Sequence, residues 1–429
     1  MSNITTLKGV ADVRPPDVYV FEKIENAARE IFRRHSFSEL RIPIIEHTGL
    51  FTRSIGEATD IVEKEMYTFT DKGGRSISLR PEGTASVVRS YVENRMHDLP
   101  PPQKFYYMGP MFRYERPQKG RLRQFYQIGA EVFGGASASV DAELLVMIAA
   151  LLREIRLDDT ELFINSIGCK DKQCRPGFRD ALVEYFSQRV ELLCEDCKKR
   201  LERNPLRILD CKMEVCAALR KDSPKISTHL CAGCRTHHGQ LKGLLDALGV
   251  KYREDPDIVR GLDYYTRTTF EVRTERLGAQ NAVVAGGRYD DLVKEFGGPP
   301  TPAVGFALGV ERVCELIKAN FSGIAPDSEF LPEFYVIPLG VAAAGKALAL
   351  AQGLRAPGRA VATGDALVSL KSQLKRADKA GARYAVIVGD DEVARGVAVW
   401  RRLSDGAQGE VKIDDAGALL SLAAPQEQA

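Results

Sequence analysis

The chain has 429 residues, 44% of them hydrophobic and 28% charged, which is ordinary for a globular protein with a large core and room for two or three domains. Lys and Arg number 60 against 58 Asp and Glu, a formal net charge of +2, so recognition of nucleic acid through a global positive field is excluded and any RNA contact must come from local patches. The longest apolar run, 144–152, falls short of the roughly 18 residues needed to span a bilayer. The first ten residues lack the basic-then-apolar order of a secretory signal, and a cytoplasmic location is expected.

Taken in chain order, residues 16–36 carry Val20, Ile24, Ala27, Ala28 and Ile31 at helical spacing and predict an amphipathic helix. Residues 40–46 read as a strand. Pro43 cannot donate to a ladder, so that strand belongs at an edge or a subunit contact. Two short strands are expected within 69–80 around Asp71-Lys72-Gly73-Gly74, then a helix over 83–97. Residues 104–112 and 123–133 alternate as antiparallel strands joined by the charged loop 115–121. A helix over 141–155 and a strand over 161–167 follow. From 169 to 249 cysteine, Lys/Arg and helical spacing dominate, which predicts a mostly helical insertion. Strands resume at 268–273, 281–285 and 303–308, the last running into a helix over 309–319. Residues 319–332, rich in Pro, Gly, Ser and Asp, read as a linker. Beyond them, strands at 334–339, 359–363, 384–388 and 396–401 alternate with helices at 342–354 and 369–380. The expected fold is therefore an α+β domain over 1–325 built on an antiparallel sheet and interrupted by the insertion. A C-terminal α/β domain over 333–429 completes it.

The hairpin at 104–133 is the most informative region. Arg113, Glu115, Arg116, Lys119, Arg121 and Arg123 crowd its loop, and guanidinium forks match phosphate oxygens. Phe125 on the returning strand could stack on a base. A solvated charged loop has the same composition. Arg312 stands at a second strand-to-helix junction, 305–312, whose glycines allow close approach.

Cysteine usage is local: eight of the nine lie between Cys169 and Cys234. Cys194-x₂-Cys197 and Cys231-x₂-Cys234 are two knuckles that together could hold a structural zinc ion. Cys169 and Cys174, and Cys211 and Cys216, form two looser C-x₄-C pairs. His229, His237 and His238 are further possible ligands. The alternative is a set of reduced cysteines inside a helical insert.

Several stretches together resemble a known family. Arg41-Ile42-Pro43 after a long helix, Phe112-Arg113-Tyr114-Glu115 with the loop to Arg123-Gln124-Phe125, and Gly309-Val310-Glu311-Arg312 resemble motifs 1, 2 and 3 of class II aminoacyl-tRNA synthetases. They occur in that family's order. Arg260-Gly261-Leu262-Asp263-Tyr264-Tyr265-Thr266 and Ala285-Gly286-Gly287-Arg288-Tyr289-Asp290 are similar to the two histidine-specific motifs of histidyl-tRNA synthetases. Leu79-Arg80-Pro81-Glu82-Gly83-Thr84 is similar to their amino-acid-binding turn. The resemblance covers essentially the whole chain, including the C-terminal domain, which looks like an anticodon-binding domain.

The resemblance implies a two-step ligase: histidine and ATP give histidyl-adenylate and pyrophosphate, and the histidyl group then passes to the 3′ end of tRNA(His). It implies Arg113 and Arg260 on opposite sides of the α-phosphate as the catalytic pair. Glu115, Arg121, Phe125 and Arg312 would join Arg113 around ATP, with Mg²⁺ on the phosphates, and Phe125 and Arg312 would sandwich the adenine. Histidine would be bound by Glu82, Gly83, Thr84, Arg113, Gln127, Glu131, Arg260, Tyr264, Tyr265 and Tyr289. Glu131 and Tyr265 would take the imidazole nitrogens. Arg116 and Gln118 would read tRNA, a homodimer would form through motif 1, and a zinc ion is not required by the family.

Each assignment has a plainer competitor. Tyr264, Tyr265 and Tyr289 could be core aromatics, and Glu82 could be the charge at a helix N-terminus. Lys371, Lys375, Arg376 and Lys379 make a basic helical face that could meet tRNA phosphates or only solvent. At the level of the whole chain, the competitors are a catalytically dead paralogue regulating histidine biosynthesis, a tRNA-sensing regulatory domain, and a class II synthetase for another amino acid. The intact Arg113 and Arg260, the C-terminal domain and the 260–265 stretch argue against them.

Overall fold

The computed structural model describes residues 4–56, 59, 61–118, 120–259, 264–277, 281–320 and 331–423. They form two compact units, one on each side of residues 321–330.

In the first unit, α1 (Asp17–Arg34) buries Val20, Phe21, Ile24, Ala28, Ile31 and Phe32, the three-and-four spacing read from the sequence. Next come β1 (Ser38–Glu39), β2 (Ile45–His47), α2 (Thr48–Ile55), β3 (Thr68–Thr70), β4 (Ser76–Leu79) and α3 (Thr84–Glu93). The strand expected over 40–46 is broken. Its end joins a small sheet in the order β2-β4-β3, and its middle has no strand partner. The cause is Arg80, a buried guanidinium whose Nη1 donates to the Ile42 carbonyl at 2.7 Å and whose Nε donates to Pro110 O at 2.9 Å. An arginine fork thus takes up carbonyls that a neighbouring strand would otherwise use.

The main sheet has eight strands. β5 (Gln103–Phe112) and β6 (Gln124–Phe133) form its long hairpin; α4 (Ala138–Glu154) and β7 (Glu161–Ser166) follow. The insertion carries α5 (Arg175–Ser187), α6 (Glu195–Arg203), α7 (Glu214–Lys221) and α8 (Ala232–Ala247), and it buries a core of its own around Phe178, Leu182, Phe186, Ile208 and Leu209. The chain then returns through β8 (Arg253–Glu254), β9 (Thr266–Arg273), β10 (Ala282–Arg288), α9 (Leu292–Glu295), β11 (Ala303–Gly309) and α10 (Val310–Asn320). Strand order is β1-β5-β6-β11-β10-β9-β7-β8, with the six inner strands antiparallel and only the short edges β1 and β8 parallel to their neighbours. Ser166 on β7 stands opposite Thr268 on β9, so the whole insertion leaves and re-enters beside one rung of the ladder.

The second unit contains β12 (Phe334–Leu339), α11 (Val341–Arg355), β13 (Val361–Thr363), α12 (Leu370–Lys379), β14 (Tyr384–Gly389), α13 (Asp390–Arg395), β15 (Val397–Arg402), β16 (Gln408–Lys412) and α14 (Ala416–Ala423). Its sheet runs β13-β12-β14-β15-β16, parallel among the first three strands and antiparallel thereafter. α13, β16 and α14 were not read from the sequence. β16 alternates half-buried and exposed residues and carries no apolar run to announce it. The linker expected over 319–332 falls mostly outside the described residues; 319 and 320 end α10. Among the described residues, no helix is long and apolar enough to cross a membrane.

Candidate active site

Strand periodicity builds the site. Residues Phe125, Gln127, Gly129 and Glu131 share one face of β6. Across the ladder, Tyr107 on β5 stands opposite Gly129, and Gly305 on β11 stands opposite Glu131. One face of the sheet therefore carries a continuous stripe, aromatic at one end and acidic at the other.

At the acidic end Glu131 is fully buried. Its Oε1 accepts from Thr84 Oγ1 at 2.7 Å and its Oε2 from the Tyr289 hydroxyl at 2.5 Å. Burial pushes its carboxyl up to about 8 despite these donors. The strand next to it makes the room: a Cβ on Gly305 would lie 1.6 Å from Glu131 Oε2. Tyr264, Tyr265 and Tyr289 are all buried around it, with Tyr264 5.7 Å from Tyr289 and 4.7 Å from Tyr265 between ring centroids. They are core aromatics and pocket walls together. Glu82 caps α3, accepting from the backbone N–H of Thr84 at 2.6 Å and of Ala85 at 2.9 Å, and burial raises its carboxyl above the ordinary range. The plainer reading of Glu82 thus holds, yet the cap also points the helix start at the stripe.

Tyr107 was missed. Its ring lies between Gly83 and Gly129, where an added Cβ would come within 2.2 Å and 2.3 Å of it, and its buried hydroxyl has no hydrogen-bond partner among the described residues. Gln127 Oε1, one step along the stripe, is likewise buried without a partner. The two glycines that admit Tyr107 lie 46 positions apart, so only the strand register could reveal the fit.

At the other end the stripe opens into a cleft of about 250 Å³ lined by Arg113, Glu115, Arg121, Phe125, Glu311 and Arg312, with Gln127 deeper in. Arg113 Nε donates to Pro81 O at 2.8 Å, tying motif 2 to the Glu82 turn, and its guanidinium carbon stands 5.2 Å from the Phe125 ring centre. Glu115 is buried and paired with Arg121. Arg312 donates to the Ala282 carbonyl at 2.6 Å. Burial, with Arg121 and Arg113 nearby, lowers the affinity of the Arg312 guanidinium for its proton. Three cations converging on one cleft favour an anionic ligand. Glu311 was quoted in its motif but given no role: both its oxygens accept from the Tyr126 N–H, at 2.8 and 3.0 Å, and burial raises its carboxyl to about 7. It fastens the start of α10, and so Arg312, to the β6 backbone.

Arg116 and Gln118 stay exposed at the hairpin tip, and Gln118 exchanges backbone hydrogen bonds with Arg121. Lys371, Lys375, Arg376 and Lys379 are exposed on α12 of the second unit. Arg260 lies outside the described residues.

The single four-cysteine site expected from Cys194, Cys197, Cys231 and Cys234 is not built. Cys231 and Cys234 gather with Cys169 and Cys174, while Cys194 and Cys197 gather with Cys211 and Cys216. Each knuckle instead takes a C-x₄-C pair as its partner: Cys194 and Cys197 meet the pair that follows them in the chain, whereas Cys231 and Cys234 are brought by helix packing to a pair that includes Cys169, 62 residues from Cys231. The three histidines turn elsewhere: His237 Nε2 lies 2.7 Å from Asp141, His238 pairs with Glu254, and His229 Nδ1 lies 3.2 Å from Lys225 O. Asp141 also holds the fully buried Arg288, which fixes the strand end that carries Tyr289.

Comparison with known proteins accords with this geometry. Residues 9–313 match the model of the histidyl-tRNA synthetase family, and residues 333–421 match that of an anticodon binding domain. A histidine–tRNA ligase of Thermodesulfovibrio yellowstonii is 50% identical over 409 residues, 95% of this chain and 96% of that protein. One of Geobacter sulfurreducens is 48% identical over 412 residues, 96% of this chain and 97% of that protein. The crystal structure of apo histidyl-tRNA synthetase from S. aureus superposes with a TM-score of 0.80 at 35% identity, covering 97% of this chain and 99% of that one.

Proposed function

The chain belongs to the histidyl-tRNA synthetase family, and from that premise we propose that it activates L-histidine with ATP and ligates it to tRNA(His). The observation that carries the assignment is the single stripe on β6, which runs from an arginine-lined cleft to a buried, hydrogen-bonded carboxylate. ATP fits the open end and an imidazole fits the closed end. The carboxylate of the amino acid then lies between them, at the α-phosphorus.

Glu131 accepts an N–H of the imidazole, with Tyr264, Tyr265 and Tyr289 as walls. The unpartnered Tyr107 hydroxyl and Gln127 Oε1 are polar groups that a bound polar substrate would satisfy. An apolar amino acid would leave all of them buried and unpaired, which is how a site of this kind rejects it. Arg113 takes the α-phosphate and Arg260 the opposite side. Arg121 meets the terminal phosphates, and Phe125 with Arg312 holds the adenine. A Mg²⁺ ion bound with the nucleotide would offset phosphate charge, and the buried Glu115 carboxylate would be an oxygen ligand for it within the cleft. A carboxylate oxygen of histidine attacks the α-phosphorus and pyrophosphate leaves. A ribose hydroxyl at the tRNA 3′ end then attacks the acyl carbon and AMP leaves. Both steps draw on positioning and on fixed positive charge rather than on a strong base.

Arg116 and Gln118, exposed at the hairpin tip, contact the acceptor end of tRNA, and the C-terminal unit binds the anticodon. A cytoplasmic homodimer is part of the same reading. Ile44 and Ile45, at 42% and 51% exposure beside Pro43 of motif 1, supply apolar surface for the dimer contact.

ATP–pyrophosphate exchange with each amino acid in turn tests the assignment. Exchange that depends on histidine alone is expected. Folded protein giving no exchange with any amino acid would overturn it in favour of a regulatory paralogue.

A further inference from the structure

The eight cysteines of the insertion are divided into two sets of four, and within each set all four Sγ atoms lie within 4.8 Å of one another. All are free thiols. Cys169 and Cys231 stand 3.7 Å apart at sulfur and Cys194 and Cys211 stand 3.8 Å apart, far beyond the roughly 2.05 Å of a disulfide. Four sulfurs each about 2.3 Å from a central zinc ion form a tetrahedron with edges of about 3.8 Å. The sulfurs are therefore spaced as ligands of one ion and not as bonded pairs.

Both sets are built alike, from one C-x₂-C and one C-x₄-C. Cys194 and Cys231 occupy the N-cap positions of α6 and α8, and Cys174 that of α5, so helix N-termini face the sulfurs and favour thiolate. Backbone N–H groups also reach sulfur, from Cys169 to Cys174 at 3.3 Å and from Cys194 to Cys216 at 3.4 Å. No carboxylate or imidazole belongs to either set among the described residues. All-thiolate ligation selects zinc over magnesium, calcium or manganese. A cluster of several irons and sulfides would hold its thiolates on separate metals, further apart than observed.

We propose that the insertion binds two structural zinc ions, one at Cys169, Cys174, Cys231 and Cys234 and one at Cys194, Cys197, Cys211 and Cys216. The sites are nested in the sequence. The inner one closes the middle of the insertion over α6 and α7. The outer one ties its first helix to its last and so closes the base. An insertion of this size has a small core, around Phe178, Phe186 and Leu209, of the kind that metal clips stabilise.

The outer site also touches the histidine pocket. Arg175, the residue after Cys174, donates to the Tyr265 carbonyl and to the carbonyls of Ile167 and Gly168. Lys170, the residue after Cys169, pairs with Asp291 at 3.0 Å and Glu295 at 3.1 Å. Resting on the histidine-binding reading above, the outer metal is a positioning element for Tyr265, and the inner one is not.

The test uses the full-length chain, produced with zinc and freed of any affinity tag, and counts metal by native mass spectrometry and elemental analysis. Two zinc ions per chain are expected, with one in Cys197→Ser, one in Cys234→Ser and none in the double variant. Cobalt(II) in place of zinc should show thiolate-to-cobalt charge transfer, halved in each single variant. No stoichiometric metal, one ion per chain, iron in place of zinc, or loss of all metal in either single variant would overturn the proposal. If a variant fails to fold, titrating the wild-type thiols with a mercurial decides instead. Four thiols consumed per zinc released, eight in total apart from Cys314, supports it, and more than that one thiol consumed without zinc release overturns it. Histidine KM in pyrophosphate exchange should rise severalfold in Cys234→Ser and stay unchanged in Cys197→Ser; equal change in both overturns the positioning role. Metal count is read without activity, so failure of the zinc sites and failure of the synthetase reading are distinguishable.

Discussion

The two ends of the stripe on β6 are made differently. The acidic end is shaped before any ligand arrives: Glu131 is buried, both its oxygens accept from Thr84 and Tyr289, Gly305 clears the volume beside it, and Gly83 and Gly129 admit the Tyr107 ring. The arginine end is open, and its cations rest on substitutes, Arg113 on the Pro81 carbonyl, Arg312 on the Ala282 carbonyl and Arg121 on Glu115. Selectivity between small molecules of similar size needs a rigid set of donors and acceptors, because each unmatched buried group is costly. Binding a polyphosphate needs charge more than shape, and arginines held by neutral carbonyls can exchange them for phosphate oxygens.

Four measurements would break or sharpen that contrast. Replacing Arg113 by Ala should lower the exchange rate by about 10²–10³, mainly through kcat and to a lesser degree through histidine KM; a pure KM effect would contradict a role on developing charge. Glu131→Gln should raise histidine KM by roughly 10–10² and leave ATP KM near wild type, since a buried donor or acceptor left unsatisfied costs about 1–3 kcal/mol. Gly305→Ala adds a Cβ on top of Glu131 Oε2. It should destabilise by about 1–3 kcal/mol in thermal unfolding and mimic the Glu131 variant kinetically. Arg116→Ala should leave pyrophosphate exchange unchanged and lower kcat/KM for tRNA by about tenfold, the scale of one good base contact.

A smaller effect is written in pH. Glu131 titrates near 8 in the folded chain against an ordinary carboxyl value of 4.5, so between these values the folded state holds a proton that the unfolded state has lost. Stability of the ligand-free protein should then fall as pH rises from about 5 to 8, because the unfolded state binds fewer protons over that window. Glu131→Gln should remove that part of the slope, and an unchanged slope would place the titrating group elsewhere.

Much of this was legible in the sequence because it is local. The period-two alternation of 104–112 and 123–133, the helical spacing of 16–36 and the arginine density of the hairpin each depend on near neighbours, and the structure reproduces the elements within a few residues. What was not legible depends on register. Tyr107 fits only because Gly83 and Gly129 meet across two elements, and Glu311 matters only because Tyr126 N–H arrives beside it. The cysteines show the same divide: the knuckles were visible, but their partners were fixed by how four helices pack. Arg80 overturned the strand over 40–46 for a reason of the same kind, a guanidinium from a distant segment bonding its carbonyls.

Opposed residues on antiparallel strands lie only about 5 Å apart, and Ser166 faces Thr268 across β7 and β9. Everything between them is therefore, in topological terms, one oversized hairpin loop, whose departure and return points are fixed by the sheet whatever the loop contains. Such a junction tolerates exchange of its contents: a shorter turn, a different lobe or a reporter domain could be spliced in without altering the strand register. The limits on the graft are set on both sides: on departure Arg175 holds the Tyr265 carbonyl, and on return the segment just before β9 carries Tyr264 and Tyr265 into the pocket. A transplant that begins after Arg175 and ends before residue 253 keeps β8 seated beside β7 and leaves that segment native; one that runs past it trades away substrate choice along with the lobe.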